Sequence, residues 1–171
     1  MAHAAIAVAL AAAALLPSVS AAQPGGVAWS ARFGISSPLA AAIERAARAE
    51  GVDPELAFRL VRTESRFDER KTGPQGVGLT QIILPTARRL RPGITREQLL
   101  QRDTNLRLGL RYLHRMLRRY DGRVQTAVQA YTQGPRQLDR AGATAETRAY
   151  AGQVLGPQAG LAAYRGPGFA R

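Results

Sequence analysis

The stretch "AFRLVRTESRF", residues 57–67, sets one acidic side chain into an otherwise apolar helical stripe. At helical spacing Ala57, Leu60, Val61, Glu64 and Phe67 share a face, while Arg59, Arg62 and Arg66 share another. A carboxyl group on a dry face is costly when charged, so its pKa rises and it can hold a proton near neutrality, the property of a general acid. Periodicity alone leaves a second reading open. In that reading Glu64 sits at the edge of the face, near the helix end, and reaches water or an arginine.

Start signals support a helix here, with Asp53 placed as N-cap and Pro54 as the first helical residue. Upstream, "PLAAAIERAARAEG" predicts a helix from Pro38, capped by Ser37, burying Leu39, Ala42, Ile43 and Ala46 and stopping at Gly51. Downstream, Gly73, Pro74, Gly76 and Gly78 predict a tight loop, followed by an apolar run to Leu84 and a helix over Pro85 to Leu90. Thr95 and Gln98 have capping-box spacing. The longest helix falls in "TNLRLGLRYLHRMLRRYDG", with Leu106, Gly109, Leu110, Leu113, Leu117 and Tyr120 inward. "VQTAVQAYTQGP" reads as a helix stopped at Gly134 and Pro135, and "AETRAYAGQVLG" as the last helix. With no strand ladder and no repeat, the expected fold class is mainly α, a small helical domain with functional loops and little or no sheet.

Four segments are expected: a signal peptide over 1–22, a linker or lead-in over 23–37, a helical domain over 38–156, and a mobile Gly/Pro/Ala tail over 157–171. Ala4 to Leu16 is apolar but shorter than the roughly 20 residues a membrane span needs, and small residues follow it up to Ala22. The n-region offers no Lys or Arg, so an uncleaved anchor is the alternative, and membrane contact would run only through that segment. The expected location is periplasmic or otherwise exported.

The absence of cysteine excludes disulfides and thiolate metal sites, and the two histidines, His3 and His114, cannot build an imidazole metal site or a conventional Ser-His triad. No metal and no organic cofactor are expected. Lys+Arg total 24 against 12 for Asp+Glu, a formal net charge of +12, and Lys71 is the only lysine. Most of the arginines read as solvated helix faces, yet a surface of this sign draws polyanions such as an anionic wall polymer. A nucleic-acid partner is not expected, because no basic recognition motif accompanies the charge.

Five ordered blocks, "ESRF", "GVGLTQIILPTA", "NLRLGLRYL", "AVQAYTQGP" and "AETRAYAGQVLG", resemble in order and spacing the lytic transglycosylase domain of the soluble type, related to goose-type lysozyme. The resemblance spans about residues 38–156 and implies a lysozyme-like fold with a substrate groove. It implies Glu64 as the sole catalytic acid and base, and Ser65, which follows it, together with Gln81, Tyr131, Thr132 and Tyr150 as substrate-binding positions. Asn105 and Gly109 match structural positions. Thr80 stands where methionine is usual, Gln75 and Gly76 stand where Gly-Ala is usual, and Thr132 stands where asparagine is usual, which puts substrate positioning in question.

The implied partner is the peptidoglycan glycan strand, cleaved at the MurNAc-GlcNAc bond to leave 1,6-anhydro-MurNAc. Hydrolysis on the same groove, or a weakly active wall-binding module of a secretion, conjugation or flagellar machine, are the alternatives. Asp68, Asp103 and Glu146 are the acidic residues available should a second carboxylate be needed.

Overall fold

The computed structural model describes residues 25–74 and 76–156. The segments read as signal peptide and tail, and Gln75, lie outside the described residues. Among those described, nine helices and one hairpin of two-residue strands make a mainly α fold.

Residues 23–37 are not simply a lead-in, because α1 (Gly26–Phe33) occupies much of that segment and ends on Gly34 in the left-handed region. Its two aromatic residues lie four apart and enter the core. Trp29, only 2 % exposed, stacks on Phe58 at 4.9 Å, and Phe33 stacks on the same ring at 5.0 Å. Phe58 belongs to α3 (Pro54–Ser65), so α1 is packed against the back of the helix that carries Glu64. Between them runs α2 (Ser37–Ala49), which begins one residue earlier than the sequence suggests. Ser37 is therefore helical, Ser36 occupies the cap position, and neither serine supplies a side-chain cap.

The α3 start is as expected: Leu56 N–H donates to Asp53 Oδ1 at 3.0 Å, a cap contributing about 1 kcal/mol. Its far end is abrupt. Arg66 and Phe67 take φ values of 54° and 67°, two successive non-glycine residues in the left-handed region at about 1–2 kcal/mol each. Ser65 holds this reversal, donating to Val61 O at 3.0 Å and accepting from Phe67 N–H at 3.1 Å.

The chain then forms β1 (Gly76–Val77) and β2 (Ile82–Ile83), antiparallel with Gly76 opposite Ile83 and Val77 opposite Ile82. The hairpin leads into α4 (Leu84–Leu90), then α5 (Arg96–Leu100), whose Thr95 and Gln98 form the expected capping box. The long central helix α6 (Arg102–Arg119) packs on α2, on α4, on α5 and on α7 (Val124–Gln133). All six residues expected inward on α6 and its C-cap are buried. Pro135 does not end the helical region; it opens α8 (Pro135–Ala141), missed because a proline that stops one helix suits the first position of the next. Last comes α9 (Ala145–Leu155), packed on α7 and α3, where Arg59 donates both to Glu55 and to the Leu155 carbonyl.

Asn105 fastens the hairpin to α6. Its Oδ1 accepts from Thr80 N–H at 2.9 Å and Thr80 Oγ1 at 2.8 Å, while its Nδ2 donates to Val77 O and Leu99 O. Gly78 (φ 70°) lies so close that an added Cβ would sit 2.5 Å from Asn105 Nδ2. A smaller apolar cluster under the hairpin, including Val77, Ile82, Ile94 and Leu99, stands beside the main core, and Tyr112 touches both.

Candidate active site

A cleft of about 730 Å³ opens along the hairpin, α6, the end of α7 and the start of α8. Glu64 lines it, as do Gln81, Tyr131 and Thr132, so four of the six residues expected from the sequence converge there. Thr132 and Tyr150 line an adjoining cavity of about 400 Å³. Ser65 is the exception. It is 3 % exposed and its hydroxyl is committed to Val61 and Phe67, so it turns the chain beneath Glu64 and does not line the cleft.

Glu64 is half-buried on the α3 face and is held from two sides. Tyr150 Oη donates to its Oε1 across 86 residues of chain, and Lys71 Nζ donates to its backbone carbonyl at 2.6 Å. Burial raises the Glu64 pKa above its ordinary 4.5, outweighing the hydrogen bond from Tyr150 and the charge of Lys71, both of which lower it. Tyr150 is pushed well above the ordinary phenol value, by burial first and then by the Glu64 charge, so it remains a neutral donor. Tyr131 is likewise pushed well up by burial and by Glu64, and its hydroxyl donates to Thr80 O at 2.8 Å. Its ring packs at 5.2 Å against Tyr112, a cleft residue with no counterpart among the sequence expectations.

Gln81 sits at φ 46° at the hairpin turn, its Nε2 donating to Gly78 O at 2.8 Å and Lys71 O at 3.0 Å. Gly76 is required opposite it, since a Cβ there would lie 2.6 Å from the Gln81 carbonyl. The glycine that departs from the expected pattern thus matches this hairpin. Thr80 is fully buried, bonded to Asn105 and pressed onto Gly109, whose added Cβ would come within 2.2 Å of Thr80 Oγ1. It shapes the wall from behind and does not line the cleft. Thr132 is exposed at the junction of the two cavities.

None of the acidic alternatives joins Glu64 in the main cleft. Asp68 accepts from Arg70 N–H at 2.9 Å, Asp103 pairs with Arg102, and Glu146 lines the adjoining cavity. Among the described residues Glu64 is the sole carboxylate lining this cleft, and no group of three His, Cys, Asp or Glu could hold a metal ion. The sequence also gave no sign of Ile82, Ile83, Thr86, Arg89 or the 133–137 segment as lining. The "PTA" of its second block and the "QGP" of its fourth mark the neighbourhoods, but only the packing of α4 and α8 brings them to one cleft.

The fold is similar to that of three solved structures. The X-ray structure of an inactive mutant of lytic transglycosylase Slt from Pseudomonas aeruginosa matches with TM-score 0.64 and 26% identity, over 74% of this chain and 24% of that one. The 70 kDa soluble lytic transglycosylase of Escherichia coli matches with TM-score 0.63 and 24% identity, over 75% of this chain and 24% of that one. A 70 kDa soluble lytic transglycosylase in complex with bulgecin A gives TM-score 0.64 and 22% identity, over the same shares. This chain thus spans about a quarter of the length of each. The profile of the transglycosylase SLT domain matches residues 41–153, from α2 through nearly all of α9 and including every residue that lines the cleft, and the protein belongs to that family.

Proposed function

We propose that the protein is a peptidoglycan lytic transglycosylase that cleaves the MurNAc-GlcNAc bond with Glu64 as its one acid and base. The observation that carries this reading is the isolation of Glu64: a carboxyl group with a raised pKa, alone of its kind in the cleft, with a neutral phenol bonded to one oxygen. Oε1 is engaged by Tyr150, which leaves Oε2 to carry the proton. Protonated Glu64 would donate that proton to the oxygen leaving the MurNAc unit, while the sugar's own 2-acetamido group assists at the anomeric carbon. The resulting carboxylate would then take the proton of the same sugar's 6-hydroxyl as that oxygen closes on the anomeric carbon. A 1,6-anhydro ring forms, Glu64 is reprotonated, and no water, metal or second carboxylate takes part. A two-carboxylate glycosidase would need a partner that the described residues of this cleft do not supply.

Export agrees with such a substrate, and we assign residues 1–22 to a signal peptide on the strength of their apolar run. The activity would serve wall turnover or open the wall for an envelope-spanning secretion, conjugation or flagellar machine.

The test is digestion of purified sacculi with the wild type and Glu64→Gln, followed by mass spectrometry. The expected result is release of muropeptides one water lighter than hydrolytic products, abolished in the variant. Products carrying the extra water would replace the transglycosylase reading with a hydrolytic one. Release that persists in the variant would remove Glu64 from the chemistry.

A further inference from the structure

Among the described residues that line the cleft, three carry formal charge: Glu64, Arg89 and Arg136. Arg89 comes from α4 and Arg136 from α8, so two of the segments that line the cleft contribute one guanidinium each. Both are exposed, and none of the ion pairs among the described residues engages either one. Neighbouring arginines are committed elsewhere. Arg88 donates to Ile94 O at 3.3 Å, Arg119 to Asp139 and Arg111 to Glu50. Arg89 lines the cleft beside Tyr112, on which its charge acts and whose ring packs on Tyr131.

A cleft with two unpaired guanidiniums and a carboxyl group that burial keeps from ionising readily presents net positive charge to whatever enters it. Concave walls focus that field. A guanidinium offers a planar fork that matches a carboxylate in a bidentate way, an interaction stronger than a neutral hydrogen bond. The sugar rings and acetamido groups of a glycan strand are neutral. Its anionic groups are carboxylates carried on the lactyl ether of MurNAc, either the lactyl carboxylate itself or those of an attached peptide.

We propose that Arg89 and Arg136 are specificity-determining residues that bind substrate carboxylates carried on the lactyl ether, so that the cleft selects muramyl strands over neutral N-acetylglucosamine polymers. This rests on the reading of the cleft as a peptidoglycan site, and it is tested by binding, independently of turnover. In the Glu64→Gln background of the full chain, affinities are measured by calorimetry for three tetrasaccharides. These are neutral chitotetraose, a muramyl tetrasaccharide with free lactyl carboxylates, and the same saccharide bearing peptides.

The expected result is tighter binding of at least one anionic ligand than of chitotetraose, with a preference that weakens as salt rises. Arg89→Gln and Arg136→Gln should each lose roughly tenfold for the anionic ligand and little for chitotetraose, as for a charge-assisted pair. Preference for the free-lactyl ligand would place the contact at the sugar; preference for the peptide-bearing one would place it along the peptide, and either supports the assignment. Equal losses for all three ligands, or no loss for any, would overturn it. If anhydro products fail to appear with active enzyme while this binding pattern holds, the catalytic reading falls and the carboxylate site stands. Arg89→Lys, which keeps the charge and loses the fork, should recover only part of the affinity.

Discussion

Tyr150 and Glu64, 86 residues apart, meet as phenol donor and carboxylate acceptor where α9 packs against the end of α3. The bond lowers the Glu64 pKa against a larger upward push from burial, so the acid is set by two opposed effects of one environment. Tyr150→Phe removes only the downward effect. The Glu64 pKa should rise further, moving the limb of the pH-rate profile that reports its ionisation to higher pH. Loss of a hydrogen bond to a charged group should cost roughly 10- to 100-fold in kcat where that charged form is needed. A profile measured from pH 4 to 9 checks both.

Glu64 should also cost the fold stability at neutral pH. Its folded pKa lies above the ordinary 4.5, so its contribution is fully retained below that value and is lost as pH rises through the folded pKa. Glu64→Gln should therefore melt higher than the wild type at pH 7, with the gap closing toward pH 4. Thermal melts across that range read the difference directly, and a gap that grew on acidification would contradict the burial of the carboxyl group.

Gly109 and Thr80 form a fitted pair. Gly109→Ala would set a methyl group 2.2 Å from Thr80 Oγ1 and should destabilise by about 1–3 kcal/mol through overpacking. Combining it with Thr80→Gly opens the space, so the double variant should show less than the sum of the two single losses in urea denaturation.

Trp29→Ala should cost about 3–5 kcal/mol, the range for truncating a core aromatic, because the indole is stacked on Phe58. Far-UV dichroism with denaturant titration would measure it. A loss under 1 kcal/mol would mean that α1 is a dispensable extension.

Thr132→Asn installs the amide that the sequence resemblance expects after the tyrosine. The residue is exposed where the cleft meets its neighbour, so the longer side chain has room. One added hydrogen bond to substrate should raise kcat/KM about 2- to 10-fold, chiefly through KM if it forms equally in the ground state.

Much of this arrangement was legible because it is local. Asp53 and Thr95 cap the helices they precede, and the period of 3.6 placed Glu64 on the buried side and Leu106, Leu110 and Leu117 in the core. What escaped depends on contacts between distant segments. Trp29 and Phe33 look like residues of a loose lead-in until Phe58 gives them a surface to stack on. Ser65 follows the acid in sequence, yet the left-handed pair at Arg66 and Phe67 turns its hydroxyl into the chain reversal. Arg89 and Arg136 look like two of many surface arginines, since nothing local marks the helices that bring them to one cleft.

The guanidinium of Arg59, bonded to the last carbonyl of α9, acquires significance from its position. Arg59 lies five residues before Glu64 on α3, and Leu155 lies five after Tyr150 on α9, so the two helices are pinned antiparallel at two points about 7.5 Å apart along each axis. The packing of α9 on α7 and α3 holds the helix as a whole, and the two polar pins fix its register along α3. Arg59 lies outside the cleft lining, yet it ties the end of α9 to the same helix that carries Glu64, a distant clasp on the register in which the Tyr150 phenol meets the carboxylate.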